Sequence, residues 1–447
     1  MRHLSILLIG ALVNSVGSGL TAFGLAIFAY EAYGTASAVA LVQLCAFAPI
    51  ILLAPAAGAL ADRFDRRLMM LIGDGGSVVG LAVIMIALSS PEPRLSHILA
   101  GVVISSCLAA LTEPALRASV SDLVEPKDHV RSAGLLQAAG SARYLLSPIA
   151  AGALLPQVGL PGLLIIDAAT CLVTAGCSGA VMRAVGRRAA SVTGSASITD
   201  QLLGGWRAVR GDRAVRALVG LMTVMTLLIG MLQVLLKPIV LPYVDAAAMG
   251  RIETLAAAGI LVGAASVAAL AKAQPTALLI IGTAATGAAM IGLALRPWPW
   301  WVALCGFAVF ASLALCQAGA DALVRRAIPQ DHQARAWGTI SLITQTGYIL
   351  AYLSAGPLAD GVLSPLLARD GALSPGLAGV IGTGPGRGAA ALVALAGVAT
   401  LALAGVLARR RHDLSAHSPT PPGARRSTSH CPNDAAPGSA RMEAWSC

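Results

Sequence analysis

Apolar stretches about 20 residues long recur along the whole chain, each closed by charged residues or by Gly and Pro. A helix crossing the ~30 Å hydrocarbon core of a bilayer needs about 20 residues, and the pattern predicts twelve such spans. They cover approximately 5–30, 36–60, 68–89, 97–117, 132–156, 160–184, 214–241, 251–273, 276–296, 298–324, 335–359 and 386–408. Only Lys272, Gln274 and Pro275 divide the eighth from the ninth. The first run follows Arg2, but its apolar core is too long for a cleaved leader and eleven more spans follow it.

The longest internal polar stretch separates six spans from six. The expected organisation is an N-terminal six-helix bundle (1–184), a cytoplasmic linker (185–213) with a short interfacial helix around Trp206, a C-terminal six-helix bundle (214–408) and a disordered cytoplasmic tail (409–447). An internal repeat supports the division. Pro126-Lys-Asp128-His129 matches Pro329-Gln-Asp331-His332, and Ala151-Gly152 matches Ala355-Gly356, at equivalent points of the two halves.

Composition narrows the class. Hydrophobic residues make up 57% and charged residues 12%, against about 25% charged in soluble domains. A soluble fold could not cover its surface with so few charges, and a disordered chain is excluded by the same figures. An all-α integral membrane protein remains. The net charge of +10 is a matter of topology: 24 of the 31 Lys and Arg fall on the side of the N-terminus, 6 on the other, and Arg143 alone lies within a span. Basic residues mark the cytoplasmic side, so both termini are expected in the cytoplasm, in a plasma or inner membrane. With aromatics at 4%, no nucleic-acid partner is expected. The eight Cys and seven His show no metal-ligand spacing, and no nucleophile–base pair or phosphate loop is evident. No enzyme, metal or cofactor is expected.

One loop carries a sharper signal. Gly58-Ala-Leu-Ala-Asp62-Arg63-Phe-Asp65-Arg66-Arg67 joins spans two and three. Gly58 would let two helices approach closely, and Asp62 could bond the exposed N–H groups of a neighbouring helix N-terminus. This spacing resembles the signature loop of the major facilitator superfamily of secondary transporters, with Asp65 where many members have Gly or Asn. The resemblance implies that Asp62 meets the start of span eleven near Arg335. It also implies that Arg66 meets an acid closing span four, for which Asp122 is the candidate. Such contacts would join the halves in an outward-open state and break on inward opening.

Further stretches resemble the drug:proton antiporter subgroup of macrolide-efflux and enterobactin-exporter-like proteins. They are Glu31-Ala-Tyr-Gly-Thr-Ala-Ser, Glu113-Pro114-Ala115, Ile166-Asp167, Gly356-Pro357-Leu358-Ala359-Asp360 and Gly382-Thr-Gly-Pro-Gly-Arg387-Gly. The resemblance implies twelve transmembrane helices in two pseudo-symmetric six-helix bundles. It further implies proton-coupled export of a hydrophobic or amphipathic small molecule, whether drug, macrolide, siderophore or peptide natural product. Ser147-Pro148-Ile-Ala-Ala-Gly152 is similar to the Gly-Pro-x-x-Gly-Gly antiporter motif. Its Pro bends a helix and frees a carbonyl, and Gly356-Pro357 offers a second such kink.

Ionisable groups inside spans cost about 2.5–3.5 kcal/mol each on insertion scales, so each needs a reason. Arg143 is the deepest and requires a partner, Asp167 or Glu113; it could form a structural ion pair or take part in coupling. Asp74, Glu113 and Asp167 are the candidates for binding and releasing a proton. Asn14, Gln137 and Gln345 are candidates for lining a central cavity, or for bonding helix to helix. The expected partners are a small-molecule substrate, protons and the lipid bilayer, acting on a monomer. Two rivals stay open: an importer of the same fold for a siderophore or peptide, and a non-transporting membrane sensor that uses the tail.

Overall fold

The computed structural model describes residues 2–125, 128–185, 206–207, 209–211, 213–270, 272–328, 330–367 and 381–411, with Arg2, Asp62, Ser121, Val130, Ala214 and residues 330–335 described by their backbone alone, so the expected contact of Asp62 with the start of span eleven lies outside the described side chains. The tail beyond 411 and most of the linker lie outside the described residues. Every regular element among the described residues is helical.

The first half holds α1 (Arg2–Tyr33), α2 (Ala36–Arg63), α3 (Arg66–Leu88), α4 (Leu95–Ala109), α5 (Thr112–Leu123), α6 (His129–Leu145) and α7 (Ser147–Val185). The second holds α8 (Arg213–Val240), α9 (Ala246–Ala269), α10 (Pro275–Leu295), α11 (Pro299–Ala327), α12 (Gln330–Pro357), a π-helical turn (Leu358–Leu363), the single turn α13 (Ser364–Leu366) and α14 (Arg387–Arg409). Eleven stretches are long and apolar enough to cross a membrane, and one of them, Arg131–Val185, has 55 residues. That stretch doubles back where Gly159 takes a φ of +66° between Pro156 and Pro161, a left-handed conformation that glycine adopts without steric cost. The chain therefore makes twelve passes. The weakly marked division between spans eight and nine falls between Ala269 and Pro275, with Pro275 opening α10, a position where its missing N–H costs nothing.

Two spans are broken within their length. The fourth stops at Ala109 and resumes as α5 at Thr112, with Pro114 in the new first turn. The fifth breaks at Leu146, just ahead of Pro148. Leu52, Ile86 and Ile165 are among the large apolar side chains left exposed on the outside of the helices, as lipid-facing residues are in a membrane bundle.

The end at which α1 begins is here called proximal and the opposite end distal. The apolar core is organised differently at the two. At the distal end one continuous cluster runs through both halves, from Ile27, Val39 and Leu163 to Leu235, Met249 and Ala355. At the proximal end there are two separate clusters. Leu7, Met70 and Val181 belong to the first half, and Leu218, Val324 and Ile340 to the second. The halves are thus joined distally and parted proximally. Near the proximal ends of their spans, a Cβ at Gly58, Gly134 or Gly338 would meet nothing within 4 Å.

Candidate functional site

Two buried acids sit inside the first half. Asp74 of α3 is 2% exposed and Asp167 of α7 is 3% exposed. Asp74 Oδ1 accepts from Thr112 Oγ1 at 2.9 Å and from Asn14 Nδ2 at 3.4 Å. Its other oxygen, Oδ2, is buried without a hydrogen-bond partner among the described residues. Asp167 Oδ1 accepts from Thr170 at 3.4 Å and from Ser18 at 3.5 Å. Cys171 lies between the two acids, its thiol 3.5 Å from Asn14 Oδ1 and 3.8 Å from Asp167 Oδ1. Space is tight there, because a Cβ at Gly17 would overlap Thr170 Oγ1 and come within 2.9 Å of Asp167 Oδ1.

A cavity of about 350 Å³ lies between the halves, lined mainly by α8, α11 and α12. Met222, Met225, Gln317, Thr344, Gln345 and Tyr348 come from the second half, while Phe47 and Tyr144 reach in from the first. Among the described residues no charged side chain lines it. Phe47 closes its distal floor with T-shaped ring contacts to Tyr348 and Tyr352, centroids 5.3 and 5.8 Å apart, and Tyr352 bonds Gln233 at 3.1 Å.

At the proximal end Asp65 caps α3, accepting from the backbone N–H of Arg67 at 2.9 Å and of Leu68 at 3.4 Å. An aspartate there makes an N-cap in extended backbone, which explains why neither Gly nor Asn is needed. Arg66 donates to Asp122 Oδ2 at 2.6 Å and to the Ala118 carbonyl at 3.1 Å. These contacts tie α3 to α5 within one half, so, against expectation, the Arg66–Asp122 pair neither joins the halves nor breaks when their proximal ends part. Arg67 is buried and Arg63 exposed.

The distal seam is close-packed. A Cβ at Gly152 would come within 2.7 Å of the Ala246 carbonyl oxygen, and one at Gly250 would overlap the Pro148 carbonyl. Gly356 lies against the Ser37 backbone in the same way. Lys237 and Glu253 form an ion pair at 2.5 Å with side chains only 8% and 17% exposed, and the Lys237 ammonium stands 5.4 Å from the centre of the Phe23 ring across the seam.

Several expectations need correction. Glu113 is not buried: it opens α5 and pairs with Arg117 at 2.7 Å, both side chains more than half exposed, so it neither partners Arg143 nor sits in apolar surroundings. Arg143 lies near enough to Asp167 to act on it electrostatically, and no ion pair joins them within 4.0 Å. Asn14 faces Asp74 and not the cavity, because its face of α1 packs against α3 and α7. Gln137 is exposed and absent from the cavity lining, whereas Gln345 lines it. Gly58 mediates no close approach, since the proximal ends of the halves stand apart. Pro357 ends α12, where the chain passes into the π-helical turn. Arg143 is not the sole cation inside a span, for Lys237 is buried in the last turns of α8. Lys237, Glu253 and Cys171 were not among the candidate site residues read from the sequence. The first two lie near predicted span ends, and a lone Cys in an apolar run gives no signal.

Twelve antiparallel spans in two bundles, parted at one end around an uncharged cavity, define a multi-pass membrane transporter. A family model described as Major Facilitator Superfamily matches residues 7–352, and the chain belongs to that superfamily. Macrolide efflux protein A of Streptococcus pyogenes is 27% identical over 158 residues, which are 35% of this chain and 39% of that protein. The match thus spans well under half the length of that curated relative. Among solved structures, a bacterial homologue of the lysosomal transporter Spinster, inward-facing and unoccupied, aligns with a TM-score of 0.68 at 14% identity, over 92% of this chain and 98% of that one. A bacterial homologue of the iron transporter ferroportin, also inward-facing, gives 0.67 at 16% identity, over 93% and 99%. The POT family transporter PepTSo gives 0.70 at 12% identity, over 93% and 98%. Likenesses at these identities speak for the fold alone.

Proposed function

We propose that the protein is a proton-driven exporter of an uncharged or weakly charged amphipathic small molecule, working by alternating access in a cytoplasmic membrane. In this reading the proximal end faces the cytoplasm, as the positive-inside rule has it, and the structure is an inward-open state. The observation that carries the reading is a separation of chemistry. Two buried carboxyls sit within the first half, while the described residues lining the cavity between the halves carry no charge. The carboxyls are the groups able to bind and release a proton inside the bundle, with Asp74 Oδ2 free to hold it. The cavity offers Met, Tyr and Phe surfaces with Gln and Thr hydrogen-bonding groups, suited to an apolar body with scattered polar groups.

The direction is supported by the partial likeness to macrolide efflux protein A. The POT structures include one in complex with a conjugated peptide, but a zwitterionic peptide calls for charged partners and the described residues of the cavity lining supply none. In this reading Asp62 serves the proximal gate, Arg66 and Asp122 brace α3 against α5 beside it, and the fifth span bends at Pro148. Export would be tested in an efflux-deficient host by drug susceptibility across neutral amphipathic compounds, and in everted vesicles with an imposed pH gradient. Uptake into everted vesicles that collapses with the gradient supports the reading. Uptake that persists without the gradient refutes proton coupling, and uptake seen only in right-side-out vesicles refutes export.

A further inference from the structure

The carboxylate of Asp360, in the π-helical turn after α12, reaches across to the other half. Its Oδ1 accepts from the backbone N–H of Ala36 at 3.1 Å, and its Oδ2 accepts from the N–H of Ser37 at 2.8 Å and the Ser37 hydroxyl at 2.7 Å. Ala36 and Ser37 are the first two residues of α2, and Thr35 takes the third N–H, that of Ala38, at 3.3 Å. The opening donors of α2, which have no partners inside the helix, are therefore satisfied largely by an acid from the opposite half. The bonds are charge-assisted, and the anion sits at the positive end of the helix dipole. They can exist only while the distal ends of the halves are together.

Asp360 closes the pentapeptide Gly356-Pro357-Leu358-Ala359-Asp360, and Asp62 closes Gly58-Ala59-Leu60-Ala61-Asp62. The two share Gly-x-Leu-Ala-Asp, one at the distal end of α12 and the other at the proximal end of α2. These helices run antiparallel against each other: Ser37 meets Gly356 and Phe47 meets Tyr348. The same register carried on brings Asp62 level with the first turn of α12, across the parted proximal end. Each helix thus ends in an acid placed for the other helix's beginning.

We propose that Asp360 is a distal latch, capping α2 while the distal end is closed and releasing it before that end opens, the counterpart of the proximal cap that the family resemblance implies for Asp62. The Gly of each pentapeptide serves the latch by letting the partner helix lie close: Gly356 has the Ser37 backbone against it here, whereas Gly58 has open space. The latch holds whichever way substrate moves, so a failed export assay leaves it standing.

The test is a distance measurement on the full-length protein in nanodiscs. Probes would sit on non-canonical residues at the exposed positions Glu92 and Arg296 (distal) and Arg183 and Arg409 (proximal), leaving the native cysteines in place. Asp360→Asn should raise the distal-open population several-fold and shorten the proximal distances. Asp62→Asn should move both distributions the opposite way, and the double variant should return towards the wild-type balance. Ser37→Ala, which removes one of the three donors and is mild enough to fold, should give a smaller shift in the Asp360→Asn direction. Unchanged distributions in both Asp360→Asn and Ser37→Ala would overturn the proposal, as would Asp360→Asn and Asp62→Asn shifting the same way. Should Asp360→Asn fail to fold, the Ser37→Ala shift decides alone.

Discussion

The thiol of Cys171 stands 3.5 Å from Asn14 Oδ1 and 3.8 Å from Asp167 Oδ1, and its single hydrogen can serve either oxygen, so the Asp74 and Asp167 sets share one donor. Together the sets draw on α1, α3, α5 and α7, so a change of charge on either acid is felt by four helices of one half.

Asp74→Asn and Asp167→Asn keep the size of the side chain and remove the ability to carry a proton. Each is expected to lower gradient-driven transport in vesicles at least about tenfold, a loss of ~1.4 kcal/mol or more in coupling. Facilitated movement down a substrate gradient should persist. Equal loss of both modes would mean that the acids serve the fold and not the coupling.

Gly17 has no room for a side chain beside Thr170 and Asp167. Gly17→Val should destabilise the first half by about 1–3 kcal/mol, the usual range for overpacking. Thermal unfolding in detergent would register this as a lowered midpoint, and an unchanged midpoint would contradict the packing described.

Arg66 and Asp122 are each about one quarter exposed, so their pairing is worth no more than about 1 kcal/mol to stability. Arg66→Asp should nonetheless cut transport strongly, by separating α3 from α5 at the proximal end. Adding Asp122→Arg should restore a good part of it. A charge swap that recovers nothing would show that position, not pairing, matters at these residues.

The Lys237–Glu253 pair is far more enclosed. Lys237→Met leaves a carboxylate without its cation and should cost about 3–5 kcal/mol, whereas Lys237→Met with Glu253→Leu should recover most of that. Thermal midpoints of the three proteins would check the order.

A carboxylate placed in the uncharged cavity, as in Thr344→Asp, should depress export of neutral compounds about tenfold or more and shift preference towards cations. Susceptibility profiles against paired neutral and cationic compounds would reveal the shift. An unaltered profile would place substrate elsewhere.

The twelve spans were legible because lipid imposes one rule on every crossing helix, and Gly159, Pro275 and Pro148 marked turns and breaks by their own backbone chemistry. The site was less legible. Asn14 reads as a mid-span polar residue, and nothing in α1, apolar on nearly every face, says whether it turns to the cavity or to α3. Glu113 stood inside an apolar run, although Pro114 beside it was a sign that a new helix begins there. Asp360 was visible as a motif residue, yet its partners lie 323 and 324 positions away, and only the folded register brings them within bonding distance.

The divided proximal core has a mechanical consequence. Each half keeps a complete apolar cluster of its own at that end, so the halves can swing without exposing either, and the distal seam acts as the fulcrum of a lever. A helix of about 26 residues is roughly 40 Å long, so a tilt of about 10° at the seam moves its far end by on the order of 7 Å. A small rotation about the seam, with the Asp360 carboxylate still holding α2, is therefore read at the opposite mouth as an aperture wide enough to admit a molecule.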